Sequence, residues 1–317
     1  MSDEGGARFS LPVGEGSGAI LGMAAADAAS GVTDGAYSAV TQQAVVVAYH
    51  LFRHGRIDRA ALAEELSELD GDDHEPSVYR DLSPDMSKWL ESSRAGEGEL
   101  ASASSLDPAV RVVPLGVWYR RSPEELIQAV LDAARVTHLD GPSAVMAAAV
   151  AGAVAGGCFA QNGRDLLMAV LEVAADTRSR IVPDRYANSG QVADLIDRLA
   201  EAKELTGADP ETIVGRLGDD TLGRGCTALV LAAPVSRDPV ATITTAARVA
   251  GSHGAAVVGA IIGARIGPRR WPWAFPNDTW FVAIGERLVE GRVDLADLPV
   301  PYAVEQRVSY STPHRAL

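Results

Sequence analysis

Along the chain, apolar runs of helical length alternate with breaks at Gly and Pro. The pattern predicts helices over 17–29, 41–55, 59–69, 123–137, 142–156, 164–177, 190–205, 210–217, 239–250 and 254–266. Several open with helix-start chemistry. In Ser122-Pro123-Glu124-Glu125 a proline occupies the first turn and two carboxylates sit near the positive end of the helix dipole. Alternation of period two is scarce. The best strand candidates, 109–113 and 227–232, are short and read equally well as helix. Glycine and alanine recur at helical spacing in 144–156 and 255–267, which lets helix axes approach closely. The expectation is an all-α chain folded as a compact helical bundle.

Residues 1–16, with Gly14, Gly16 and Gly18 around Ser17, read as a flexible lead, 17–298 as one helical domain and 299–317 as a partly disordered tail. The acidic stretch 71–75 before Pro76 and the Ser/Gly-rich stretch 92–105 read as loops. Past Pro268, Trp271, Pro272, Trp273, Pro276 and Trp280 suggest a stiff aromatic segment packed on the bundle.

Composition narrows the function classes. The chain has 317 residues, 47% hydrophobic and 22% charged, ample for a large core. A net charge of −14 argues against a nucleic-acid partner, which requires concentrated positive charge. The start of the chain carries Asp3 and Glu4 and lacks a basic-then-apolar signal, and the apolar stretch 144–159 is short of the roughly 20 residues a bilayer needs. A cytoplasmic protein with no membrane partner is expected. Cys158 and Cys226 are isolated from any ligand cluster and read as small buried apolar residues.

Several segments, in order, resemble the ADP-ribosylglycohydrolase family. Gly18-Ala19-Ile20-Leu21-Gly22, followed by Asp27-Ala28, is similar to its N-terminal helix. Tyr37-Ser38-Ala39-Val40-Thr41-Gln42 stands where the family has an aromatic residue, Thr or Ser, two aspartates, then Thr-Gln. Arg111-Val112-Val113-Pro114-Leu115-Gly116, Ala134-Arg135-Val136-Thr137-His138 and the helix 255–264 match further family segments, whereas Ser105-Leu106-Asp107 replaces its Gly-Asn-Gly loop. The resemblance implies the family's all-α orthogonal bundle. It also implies a site for two magnesium ions that orient a ribose and the attacking water in hydrolysis of an ADP-ribosyl bond.

The metal-binding aspartates of that site align with Ala39, Val40, Ala250 and Ser252. Hard cations need oxygen ligands, preferably charged. The departure implies a pseudoenzyme with no metal cofactor, in which Tyr37, Ser38, Thr41, Asp107, Ser252 and His253 contact a nucleotide-like molecule such as ADP-ribose, or a protein partner binds instead. Asp27 and His253 are the catalytic candidates if activity persists. The alternatives are an active hydrolase with relocated acids, drawn from Asp27, Asp34, Asp219 and Asp220, or with metal-free chemistry at His253, and an interaction scaffold. His138 and Asp140 read as loop-orienting, and Ser252 as a helix cap.

Overall fold

The computed structural model describes residues 14–31, 33, 35–72, 75–159, 162–234, 238–268 and 275–311. Fifteen α-helices follow in chain order among them: α1 (Gly14–Ala29), α2 (Ala39–His54), α3 (Arg59–Glu68), α4 (Pro84–Arg94), α5 (Asp107–Arg111), α6 (Val113–Trp118), α7 (Pro123–Ala134), α8 (Gly141–Gly157), α9 (Gly163–Arg178), α10 (Val192–Glu204), α11 (Pro210–Leu217), α12 (Thr221–Ala232), α13 (Pro239–Ile266), α14 (Asp278–Glu290) and α15 (Pro301–Ser311). Strand pairing among the described residues is confined to two isolated bridges, Ala101 with His138 and Asp140 with Ala187.

Three helices form the centre because they are apolar on every face, the pattern of a buried rather than an amphipathic helix. They are α1, α8 and the half of α13 from Gly254 to Ala264, whose residues are buried almost throughout. Glycine sets how closely α1 and α13 cross. A Cβ at Gly18 would strike the carbonyl of Gly263, and one at Gly259 the carbonyl of Gly22 and the side chain of Ala26. Around this centre lie helices with one apolar stripe, such as α7, α10 and α11. Their starts are fixed by short polar side chains; Ser83, Asp140, Asp209 and Asp220 each accept a backbone N–H from the first turn they cap.

Helix α13 is long and apolar enough to cross a membrane by length and composition, and 67% of its most apolar stretch is buried in the fold, the situation of a core helix. It is broken once. Gly251 has φ 74 and ψ −175, a conformation open essentially to glycine alone, so the helix stops after Ala250 and restarts at Ser252 in a new direction.

The structure departs from the sequence expectations in definite places. Both strand candidates are helical, 109–113 within α5 and α6 and 227–232 within α12, since their apolar residues face the core and meet no partner strand. The segment 14–16 belongs to α1, where Gly16 lies against Val289 and so serves close packing. Residues 92–94, read as loop, close helix α4. The expected tail is α15, which buries Val304, Glu305 and Val308. Trp280 lies in α14 against Tyr49 and Phe281. Trp271, Pro272, Trp273 and the acid Asp34 lie outside the described residues.

Candidate functional site

The break in α13 opens onto a cavity of about 270 Å³. One wall is the break itself, with Ala250, Gly251, Ser252 and His253. The others are Ser83 before α4, the segment from Ser104 to Asp107, and Thr221 and Arg224 on the first turn of α12. The Ser104 segment is held from beneath. Asp140 accepts from the Ser104 hydroxyl at 3.2 Å and from Ser143, whose hydroxyl in turn receives the Ser105 N–H at 2.8 Å. The cap of α8 thereby shapes the cavity floor.

Asp107 is the electrostatic centre. His253 Nε2 lies 2.7 Å from its Oδ1, the Ser83 hydroxyl donates to Oδ2, and the Asp107 N–H donates to Ser105 Oγ at 3.1 Å. Burial alone would raise this carboxyl. The hydrogen bond and charge of His253, the Ser83 hydroxyl and the nearby His138 outweigh burial and hold it at about 2. For His253 burial acts downward, and the hydrogen bond and charge of Asp107, with the charges of Asp27 and Asp81, win and raise it above its ordinary 6.5. Beneath lies Arg111, fully buried, which donates to Gln43 at 3.2 Å and Thr137 at 2.6 Å and feels the charge of Asp107. The carboxylate thus sits between two cations.

A second polar cluster is sealed off. Asp27, in the last turn of α1, is wholly buried against the start of α2. It accepts the Ser38 N–H at 2.8 Å, the Ser38 hydroxyl at 2.9 Å and the Thr41 hydroxyl at 2.7 Å. Burial raises its carboxyl despite these bonds. Tyr37 is also buried, donating from its hydroxyl to Glu305 at 3.1 Å. Asp27, Tyr37, Ser38 and Thr41, expected at the cleft, therefore turn inward and line no part of the cavity. Their hydrogen bonds are spent on anchoring α2. Asp107, Ser252 and His253 do lie together on the cavity wall, the Ser252 hydroxyl 3.4 Å from His253 Nδ1.

The model of the ADP-ribosylglycohydrolase family matches residues 12–297. The chain belongs to the ADP-ribosylglycohydrolase family. A solved structure described as an "ADP-ribosylglycohydrolase-related protein complex" superposes with a TM-score of 0.63 at 17% identity, covering 88% of this chain and 98% of that one, and supports the same all-α fold. No curated protein matches the sequence.

In this ADP-ribosylglycohydrolase-family chain, Ala39, Val40, Ala250 and Ser252, the positions that the sequence resemblance sets against the family's metal-binding aspartates, carry no carboxylate. Ala39 and Val40 are buried in α2, and Ala250 and Ser252 flank the break. The described residues do not fit a pair of hard divalent cations, because the one carboxylate among those lining the cavity, Asp107, is already paired with His253. Asp220 caps α12 and pairs with Arg198 at 2.7 Å. The group of possible metal ligands among the described residues, His50, His54 and Glu65, lies elsewhere. There Arg53 already binds Glu65 at 2.8 Å, and the Asp58 N–H at 3.0 Å makes His50 Nε2 an acceptor, which commits Nδ1–H to Glu65.

Sequence reasoning missed Ser83, Ser104, Ser105, Thr221 and Arg224. The Ser-Pro-Asp helix start at Ser83 and the Gly-Asp-Asp-Thr start at Thr221 were available signals.

The Asp107–His253 pair has a defined pH signature. The lowered carboxyl contributes stability above its unfolded value of about 3.9 and loses it as pH falls toward 2. The raised imidazole contributes fully below 6.5 and loses it as pH rises through its folded value. In urea titrations the stability advantage of the native chain over Asp107→Asn is therefore expected to peak between about pH 4 and 6.5. An advantage that stays flat into the alkaline range would show that the two groups are not coupled.

Proposed function

We propose that this chain is a metal-independent, catalytically silent member of its family that binds ADP-ribose or a related nucleotide-like ligand in the cleft. One observation carries the reading: the His253 imidazole lies 2.7 Å from Asp107, so a side-chain cation holds the cleft carboxylate where relatives would bind metal. The replacements at Ala39, Val40, Ala250 and Ser252 agree with it. The cleft also remains open rather than filled by side chains, which favours a ligand over a scaffold with no small-molecule site.

The test is activity against arginine-linked and other ADP-ribosyl substrates with magnesium, alongside calorimetric titration of magnesium, manganese and calcium. The expected result is no release of ADP-ribose and no heat of metal binding, with a rise in melting temperature on adding ADP-ribose. Magnesium-dependent release would overturn the reading. Release that survives chelation and disappears in His253→Gln would replace it with metal-free hydrolysis at His253.

A further inference from the structure

The charges facing the cavity define a narrower ligand class than the family does. Two cationic side chains line it. His253, 30% exposed, pairs with Asp107 through Nε2, a contact that favours its charged form and leaves its Nδ1 edge toward Ser252. Arg224 is exposed, and among the described residues no carboxylate pairs with it. Its own backbone carbonyl packs at 4.0 Å from where a Gly254 Cβ would stand, so the first turn of α12 is fixed against the restarted half of α13.

Asp107 neutralises His253 within their pair, so the positive charge left facing the cavity is carried by Arg224, and His253 adds a hydrogen-bond donor at Nδ1. Both oxygens of Asp107 are engaged, by His253 and Ser83, and Arg111 backs the carboxylate from below. The oxygens of Asp27 are taken by Ser38 and Thr41 behind the wall, and Asp81 acts on His253 by charge without lining the cavity. Local positive charge of this kind runs against a chain whose net charge is −14. The hydroxyls of Thr221 and Ser252 add neutral donors on the same walls. The volume of about 270 Å³ lies just below the range of about 300–1,000 Å³ that encloses whole drug-sized ligands, so it suits one charged moiety of a larger molecule.

We propose that this cavity is a phosphate site, in which a phosphate or pyrophosphate group binds between the Arg224 guanidinium and the Nδ1 edge of His253 without a bridging metal. It rests on the reading that the cleft binds a nucleotide-like ligand, and it assigns recognition of that ligand's phosphate charge to these two side chains. A charge-assisted hydrogen bond from a guanidinium to phosphate is worth enough that its loss is read directly in affinity.

The probes are inorganic phosphate, pyrophosphate and ADP-ribose, titrated calorimetrically into the full chain in the presence of a chelator. Pyrophosphate is expected to bind, and Arg224→Gln to weaken it about tenfold, as loss of one charged hydrogen bond implies. His253→Gln is expected to do the same. Arg224 is exposed, so its variant tests the site even if His253→Gln fails to fold. Failure of phosphate and pyrophosphate to bind, or binding undiminished in Arg224→Gln, overturns the phosphate site. If ADP-ribose still binds in that case, the proposed function stands and only this inference falls. Pyrophosphate binding that requires added magnesium also overturns it.

Discussion

Gly259→Ala is expected to destabilise the chain by about 3 kcal/mol, the upper end for overpacking a core. The added methyl has nowhere to go, because a Cβ there meets the Gly22 carbonyl and the Ala26 side chain, and two packed helix backbones cannot rotate out of the way as a flexible side chain could. Gly215→Ala on α11 is the matched comparison. Nothing lies within 4 Å of its Cβ position and its φ is ordinary, so alanine there should be neutral or gain about 0.5–1 kcal/mol from helix propensity. Urea unfolding of the two variants beside the native chain decides the matter. Equal behaviour would mean that α1 and α13 do not cross on these glycines.

Glu305→Ala is expected to cost about 3–5 kcal/mol, the penalty for orphaning one partner of a buried ion pair. Arg80 Nη2 lies 2.7 Å from Glu305, with the two side chains only 13% and 1% exposed. The Arg80 guanidinium also lies 4.5 Å from the centre of the Tyr37 ring, and its Nε–H donates to the Tyr37 carbonyl at 2.8 Å. Removing the carboxylate leaves a charge with no acid opposite it. Glu305→Gln, which keeps an acceptor for the Tyr37 hydroxyl, should cost less. Chemical denaturation provides the measurement, and an alanine variant as stable as the native chain would show that α15 contributes little to the fold.

That helix also marks where reading the sequence stops. The central helices were legible because their glycine and alanine stripes state their own packing; 17–29 and 254–266 correspond closely to parts of α1 and α13, and the break between 250 and 254 was visible as Gly251-Ser252-His253. For α15 the local pattern is weak, and what holds it is a pair of residues 225 positions apart. Helix α14 went unread for a similar reason, since Trp280 is fixed by Tyr49, far away along the chain, whereas α4 carries a local start at Ser83 that the helix pattern alone passed over.

The site divides the same way. Motif position located the start of α2 but not the direction of its side chains, so Tyr37, Ser38 and Thr41 were expected in the cleft although their hydroxyls point to Glu305 and Asp27. Asp107 and His253 were each identifiable, yet their pairing joins residues 146 apart and no spacing rule could supply it.

The pairing of His253 with Asp107 changes the thermodynamics of the cleft as well as its charge. A metal ion occupies a site according to its free concentration, so the affinity of such a site for its ligand rises and falls with the ionic content of the cell. The His253 imidazole, carried on the chain, is present at fixed stoichiometry, one per molecule, and its delivery is an intramolecular matter of folding. On the proposed reading, ligand affinity is linked to protons rather than to divalent ions, and the expected binding is alike in magnesium-poor and magnesium-rich surroundings.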